Sequence, residues 1–252
     1  MRPVSSIGRP LQARIGGDSH FQNEKSQSST LHSQFIFVFL YTEMRKNAFI
    51  LMACLFLVSI GAGGRTLRHV LVQMPREVLP LLSAENVLDA VDFHDSRMRA
   101  AVKNRMGETS VLTALTDTYA AWDLSAASRA ELKLLSAGKD TLVCLVHTYL
   151  TPEPMSVVQF YSLSWQPLAA KRFVKLPAAS AFLRPGLSDT DRRTALAAAE
   201  GALTEARLSA DGATLRFVLH ADGGDPDRRK ELGEWFCEQL TYVWRDRRFE
   251  RQ

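Results

Sequence analysis

Cysteine is scarce in this sequence, with three residues in 252. Cys54, Cys144 and Cys237 stand far apart, and none has the CxxC spacing of a zinc ribbon or a dithiol redox site. A disulfide framework is therefore excluded as the main source of stability. Catalytic signatures are missing as well: the chain has no HExxH, GxSxG, Walker loop or dinucleotide-binding glycine turn. An excess of one charge is lacking over most of the length. The first 64 residues hold six of the 31 basic and three of the 27 acidic side chains, so the rest carries a net charge of about +1. That balance excludes the broad positive surface that phosphate binding needs, and no nucleic-acid partner is expected. The clusters Arg228-Arg229-Lys230 and Arg245–Arg248 contain or adjoin acidic residues and read as solvated surface.

Long hydrophobic runs are few. The longest, Ala48–Ile60, has thirteen residues interrupted only by Ser59. A bilayer-spanning helix needs roughly 20, so no stable transmembrane anchor is expected. The run instead has the flanks of a secretory signal. Arg45 and Lys46 precede it directly after Met44, and Gly61-Ala62-Gly63-Gly64 supplies small residues for a peptidase. Leu51-Met52-Ala53-Cys54 resembles a lipoprotein box, but an apolar stretch follows Cys54 where a lipidated cysteine has a polar tether. A signal peptide begins at its methionine. The reading is therefore that residues 1–43, polar and without hydrophobic period through residue 34, are an over-extended gene start and disordered. Residues 44–64 are then the signal peptide, and 65–252 form a single exported globular domain. Its place is the periplasm or outer cell envelope. There Cys144 and Cys237 could pair, although Cys144 sits in the apolar run Leu142–Val146 and equally suits a free core thiol.

What is present within residues 65–252 is a mixed pattern. Ser83 caps a helix that runs to about Ser96, with Leu88, Val91 and Asp95 on one face and Val87 beside them. Arg97–Met106 fits strand or helix until Gly107 ends it. Strands follow at Tyr119–Leu124, Ala130–Leu135, Thr141–Tyr149 and Ser156–Leu163, separated by short turns. Ser188–Asp191 reads as a capping box opening a helix to about Leu203. Asp225-Pro226 opens another, and Thr241–Trp244 with Arg248–Gln252 closes the chain as a hairpin. The fold class expected is α+β: a mainly antiparallel sheet with an N-terminal helix packed on it and two later helices.

A three-strand unit also looks duplicated. Glu131–His147 can be laid over Glu205–His220, each with an opening Glu, a Ser-Ala turn with glycine, Thr-Leu and a terminal His. An aromatic strand follows each, Phe160–Trp165 and Tyr242–Trp244. The second copy is one residue shorter before its turn, which predicts a bulge or shifted register in the first.

The chain resembles a family of exported Bacteroidales proteins of unknown function. The resemblance rests on Met74-Pro75, Leu79–Leu82, Leu88-Asp89 with Val91–Phe93, Leu115–Asp117 with Tyr119, Glu131–Leu135, Phe160–Ser162, Trp165–Leu168 and Tyr242–Phe249. It implies export and carries no catalytic residues.

Candidate site residues are therefore weighed singly. His94-Asp95, near Asp89 and Asp92, could hold a divalent cation, but acidic residues near a helix usually form a solvated face. His147 and His220 end corresponding strands, where structural hydrogen bonding is the ordinary role. Trp122, Trp165, Trp235 and Trp244 could line a sugar or peptide groove, although strand aromatics usually fill a core. No catalytic, cofactor-binding or metal-ligating residue is assigned. The expectation is a non-enzymatic envelope protein binding a protein or glycan, with an envelope hydrolase using Asp and His residues as the alternative. A pocket gathering His147 or His220 with carboxylates would favour the hydrolase, and an open aromatic or apolar patch would favour binding.

Overall fold

Strand Asp140–Tyr149 is buried on both faces over Leu142–Val146, and this decides the layering. Side chains alternate along a strand. Val143 and Leu145 enter one core, while Leu142, Cys144 and Val146 enter another. A computed structural model describes residues 65–252. The leader segments read from the sequence, residues 1–43 and 44–64, lie outside the described residues.

The described chain has two antiparallel sheets. The larger is a seven-stranded meander in sequence order: β1 (Ala101–Lys103), β2 (Thr109–Leu115), β3 (Tyr119–Ser125), β4 (Ser128–Ala137), β5 (Asp140–Tyr149), β6 (Met155–Ser162) and β7 (Pro167–Leu168). The smaller has four strands, β8 (Leu203–Leu208), β9 (Thr214–His220), β10 (Leu240–Arg245) and β11 (Arg248–Arg251), in the order β11-β10-β9-β8. The helices are α1 (Leu67–Leu71), α2 (Ala84–Asp95), α3 (Asp189–Ala198) and α4 (Pro226–Trp235). The α+β architecture is thus as expected, with the sheet divided in two. No helix among the described residues is long and apolar enough to cross a membrane.

The outer core lies on the face of the large sheet covered by α1 and α2. Leu67, Val70 and Leu71 from α1 and Val87, Ala90 and Val91 from α2 meet Trp122, Leu132 and Val143 there. Ser83 caps α2 through a reciprocal box: its Oγ accepts the Asn86 N–H, and Asn86 Oδ1 accepts the Ser83 N–H. Of the face formed by Leu88, Val91 and Asp95 only Val91 is buried; the inward stripe is Val87, Ala90 and Val91, and Leu88 is 49% exposed. The ambiguous segment after α2 resolves into a left-handed turn at Arg97 and the short strand β1.

The inner core fills the space between the sheets. Phe160, Phe173, Phe217 and Phe249 pack there with Tyr242, and Ala195 of α3 and Leu232 of α4 close it. Helix α3 stops at Ala198 rather than Leu203. Gly201 at φ +79° turns the chain, and Leu203 opens β8.

Three-strand meanders occur in both sheets, β4-β5-β6 and β8-β9-β10. Leu135 pairs with Leu142, and Leu208 with Leu215, so the registers agree at the turns. Leu142, Cys144 and Val146 share the inner core with Leu215, Phe217 and Leu219. The predicted bulge is absent from the first unit, where pairing from Ser128 to Ala137 is unbroken. Counted from the turn, Glu205 therefore matches Leu132 rather than Glu131, and the two glutamates face opposite ways. The shared facing follows from a common core, which imposes the same alternation on both meanders.

Candidate functional site

The sequence of β4 alternates Arg129, Glu131 and Lys133 with Ala130, Leu132 and Leu134. Such a pattern reads as one solvated and one buried face. The structure buries both. Lys133 is 5% exposed and Arg129 and Glu131 are half-buried, because β8 lies across this face of the large sheet.

The charged groups are spent on the edge of β8. Glu131 Oε2 accepts the Leu208 N–H (3.1 Å), and its other oxygen accepts the Tyr119 hydroxyl (2.9 Å). Lys133 Nζ donates to the Ala210 carbonyl (2.6 Å) and lies 5.5 Å from the centre of the Tyr119 ring. From β6, Ser156 Oγ accepts the Ala206 N–H (2.8 Å) and donates to the same residue's carbonyl (3.3 Å). The backbone groups an edge strand leaves unpaired are thereby satisfied. Burial, with the charge and hydrogen bond of Glu131, pushes the Tyr119 hydroxyl well above its usual range. Burial also lowers Lys133.

Next along β8 is Glu205, 4% exposed, whose carboxylate gathers three partners. Arg129 reaches it from β4. Arg207 Nε donates to Oε1 (2.7 Å), and His220 Nε2 lies 3.0 Å from Oε2. Burial lowers the His220 pKa, and the neighbouring Arg229 and Arg207 act in the same direction, against Glu153 and Asp222. With Nε2 protonated, the ring donates to Glu205.

His220 also lines a cavity of about 350 Å³ between the end of β9 and the end of α4. Leu219, Leu232 and Phe236 give it an apolar wall. Its polar groups are Asp222, Arg229, Arg184, Glu238 and the Cys237 thiol. Asp222 is 7% exposed and accepts from Arg229 and from the Gly224 N–H. Burial alone would raise its pKa, but those hydrogen bonds outweigh it and hold the carboxyl below its usual range. Arg184 Nε donates to the Gly233 carbonyl (2.9 Å). Among the described residues no hydrogen bond joins Cys237 to His220.

The other sequence candidates separate. His147 stacks on Tyr149 at 4.6 Å on the outer face of the large sheet, far along the sequence from the cavity's residues. Its Nε2 is buried without a hydrogen-bond partner, and burial lowers its pKa. Asp95 pairs with Arg68 at 2.5 Å and lies 3.7 Å from His94, while Asp89 and Asp92 face solvent. Among the described residues no group of three or more His, Cys, Asp or Glu side chains is placed to hold a metal. The tryptophans form no common groove. Trp122 and Trp165 fill the outer core, the latter donating to the Val70 carbonyl (2.9 Å). Trp244 packs against the inner core and donates to the Ser136 carbonyl (2.6 Å). Cys144 and Cys237 are free thiols, and burial raises the Cys144 pKa.

Sequence reasoning singled out His220 as a strand-end histidine but passed over Glu205, Asp222 and Arg184. The missing signal is register. Glu205 and His220 lie close only because Glu205 pairs with Val218, which places His220 on the diagonal.

Two packed antiparallel sheets and a single-walled cavity define an α+β domain class with no assigned chemistry. The particular family follows from comparison. The family model for proteins of unknown function DUF3256 matches residues 58–249, and the chain belongs to that family. A solved structure of a domain of an uncharacterized protein from Porphyromonas gingivalis W83 is similar in fold, with 23% identity and a TM-score of 0.65. The match covers 74% of this chain and 98% of that one. No curated protein matches.

Proposed function

We propose that the protein is exported to the cell envelope and acts there as a binding module, holding a segment of an envelope partner in the cavity beside His220. The observation that carries this reading is the pairing of the cavity's polar groups. Asp222 is held by Arg229, and His220 rests on a Glu205 already neutralised by two guanidiniums. Groups so committed orient a ligand well and abstract protons poorly. The apolar wall supplies affinity, and the rim supplies direction.

Gly233 offers a clean test. It lines the cavity within α4, and a Cβ there meets nothing within 4 Å. Gly233→Trp should fill the cavity while the fold persists. Pull-down from native envelope should recover a partner with the wild type and lose it with this variant, at an unchanged melting temperature. Equal recovery by both proteins would reject the cavity as the site. Export has its own measurement. The exported protein should begin between Ala62 and Leu67 by mass spectrometry, with no peptide from residues 1–43.

One observation favours a hydrolase as the second reading: His220 shares its cavity with Asp222, Glu238 and the Cys237 thiol. On that reading, both Cys237→Ala and His220→Gln abolish hydrolysis of ester or amide probes. On the binding reading, the wild type hydrolyses none of them.

A further inference from the structure

Antiparallel sheets leave edges, and an unprotected edge is a template for another strand. Most edges of this protein carry a recognisable protection. The three residues of β1 are covered from α2, where Asn86 Nδ2 donates to the Lys103 carbonyl (2.9 Å). Strand β7 has two residues, one of them Pro167, which has no N–H to offer. Strand β8 is capped by Ser156, Glu131 and Lys133, as described above. Strand β11 is charged, and its Phe249 N–H donates to the Phe173 carbonyl (2.6 Å).

The first half of β6 differs. Strand β7 pairs only with Phe160 and Tyr161. Beyond that point Met155–Gln159 has β5 on one side and, among the described residues, no backbone partner on the other. Charge and proline are missing here, and β8 meets this segment on its inner face, through Ser156. No charged residue occurs from Pro154 to Ala170, and no proline interrupts β6. On the outer face of this corner Tyr149 (44%), Met155 (39%) and Val157 (43%) stand exposed side by side.

We propose that the Met155–Gln159 edge pairs with the same edge of a second copy of this chain. Two identical edges related by a two-fold axis meet antiparallel, and every residue then faces a residue of the same short segment. A charged strand would oppose like charges in that arrangement, which is costly. An uncharged strand does not, so the composition that leaves this edge unprotected also suits it to itself. Pairing centred on Val157 sets Met155 against the mate's Gln159. It also merges the two exposed Tyr149, Met155 and Val157 corners into one apolar surface.

The test is sedimentation velocity on the exported full chain over a dilution series, with Val157→Lys beside the wild type. Val157 is partly exposed, so the lysine can reach solvent in the single chain. The wild type should sediment at twice the single-chain mass when concentrated and dissociate on dilution. Val157→Lys should stay single at every concentration, with a melting temperature equal to that of dilute wild type. Hydrogen exchange on the wild type gives a second readout without mutation: the amides of Met155–Gln159 should be protected when concentrated and lose that protection on dilution. A wild type that is single throughout, a dimer that survives Val157→Lys, or a dimer whose Met155–Gln159 amides exchange alike at both concentrations would each overturn the proposal. Protection that arises only on adding an extended uncharged peptide would assign the edge to a foreign strand and reject the second copy.

Discussion

At the residue scale, Glu205 is a demanding position, buried to 4% exposure. A buried carboxylate is tolerated only when paired, and removing one member leaves the others uncompensated. Glu205→Ala strands Arg129, whose side chain is 19% exposed, together with His220. The expected loss is about 3 kcal/mol, measured as a shift in the urea midpoint at constant slope. Arg207 is more than half exposed, and Arg207→Ala should cost under about 1 kcal/mol. Equal losses from the two variants would mean that Glu205 draws nothing from its burial. The histidines predict a pH dependence. Burial lowers both His147 and His220, so the unfolded chain binds protons more readily than the folded one. Their contribution is complete above the ordinary histidine pKa of about 6.5 and is lost as pH falls below it. Stability measured from pH 8 to 5 should fall through that window, and His147→Gln should flatten the fall.

At the scale of elements, β8 shows how an edge strand is closed without another strand. Ser156 serves both backbone groups of Ala206, and Thr148 Oγ1 lies 2.8 Å from the same hydroxyl. Replacing Ser156 by Ala removes the hydroxyl without adding bulk, leaving a buried N–H and carbonyl unsatisfied. A loss of about 1–3 kcal/mol is expected, together with faster amide exchange at Ala206. A stable protein with unchanged exchange would show that water replaces the serine. Most elements were legible in the sequence because their signals are local. Ser83 and Asp225 act as caps where the spacing placed them, and the runs Thr141–Tyr149 and Tyr119–Leu124 are strands. The helix expected to reach Leu203 ends at Ala198. There an alanine-rich composition favours continued helix, but Gly201 and the pairing of Leu203 with His220 impose a strand.

At the scale of the whole molecule, the two cores share strand β5, so damage on either side should be felt throughout. Val143, at 0% exposure, belongs to the outer core, and Phe217, at 1%, to the inner one. Val143→Asp and Phe217→Asp should each prevent folding, since an unpaired buried charge costs several kcal/mol. A variant that keeps the near-ultraviolet spectrum of one core while losing the other would divide the protein into independent halves.

The sequence by itself determined the α+β class, the caps, the buried strand over Leu142–Val146, the near-neutral charge of residues 65–252 and the resemblance to an uncharacterised family. Each of these depends on local pattern or composition, which a chain carries wherever it folds. The tertiary structure decided the rest. It split the strands into two sheets, turned the charged face of β4 inward against β8, brought Glu205 to Arg129 and His220, and opened a cavity beside them. It also left Met155–Gln159 of β6 paired on one side alone among the described residues. These features depend on register and on contacts between residues more than 70 positions apart, such as Arg129 with Glu205. No periodicity encodes them, because side-chain alternation specifies that a residue leaves one face of a strand, and only packing specifies what waits on the other side.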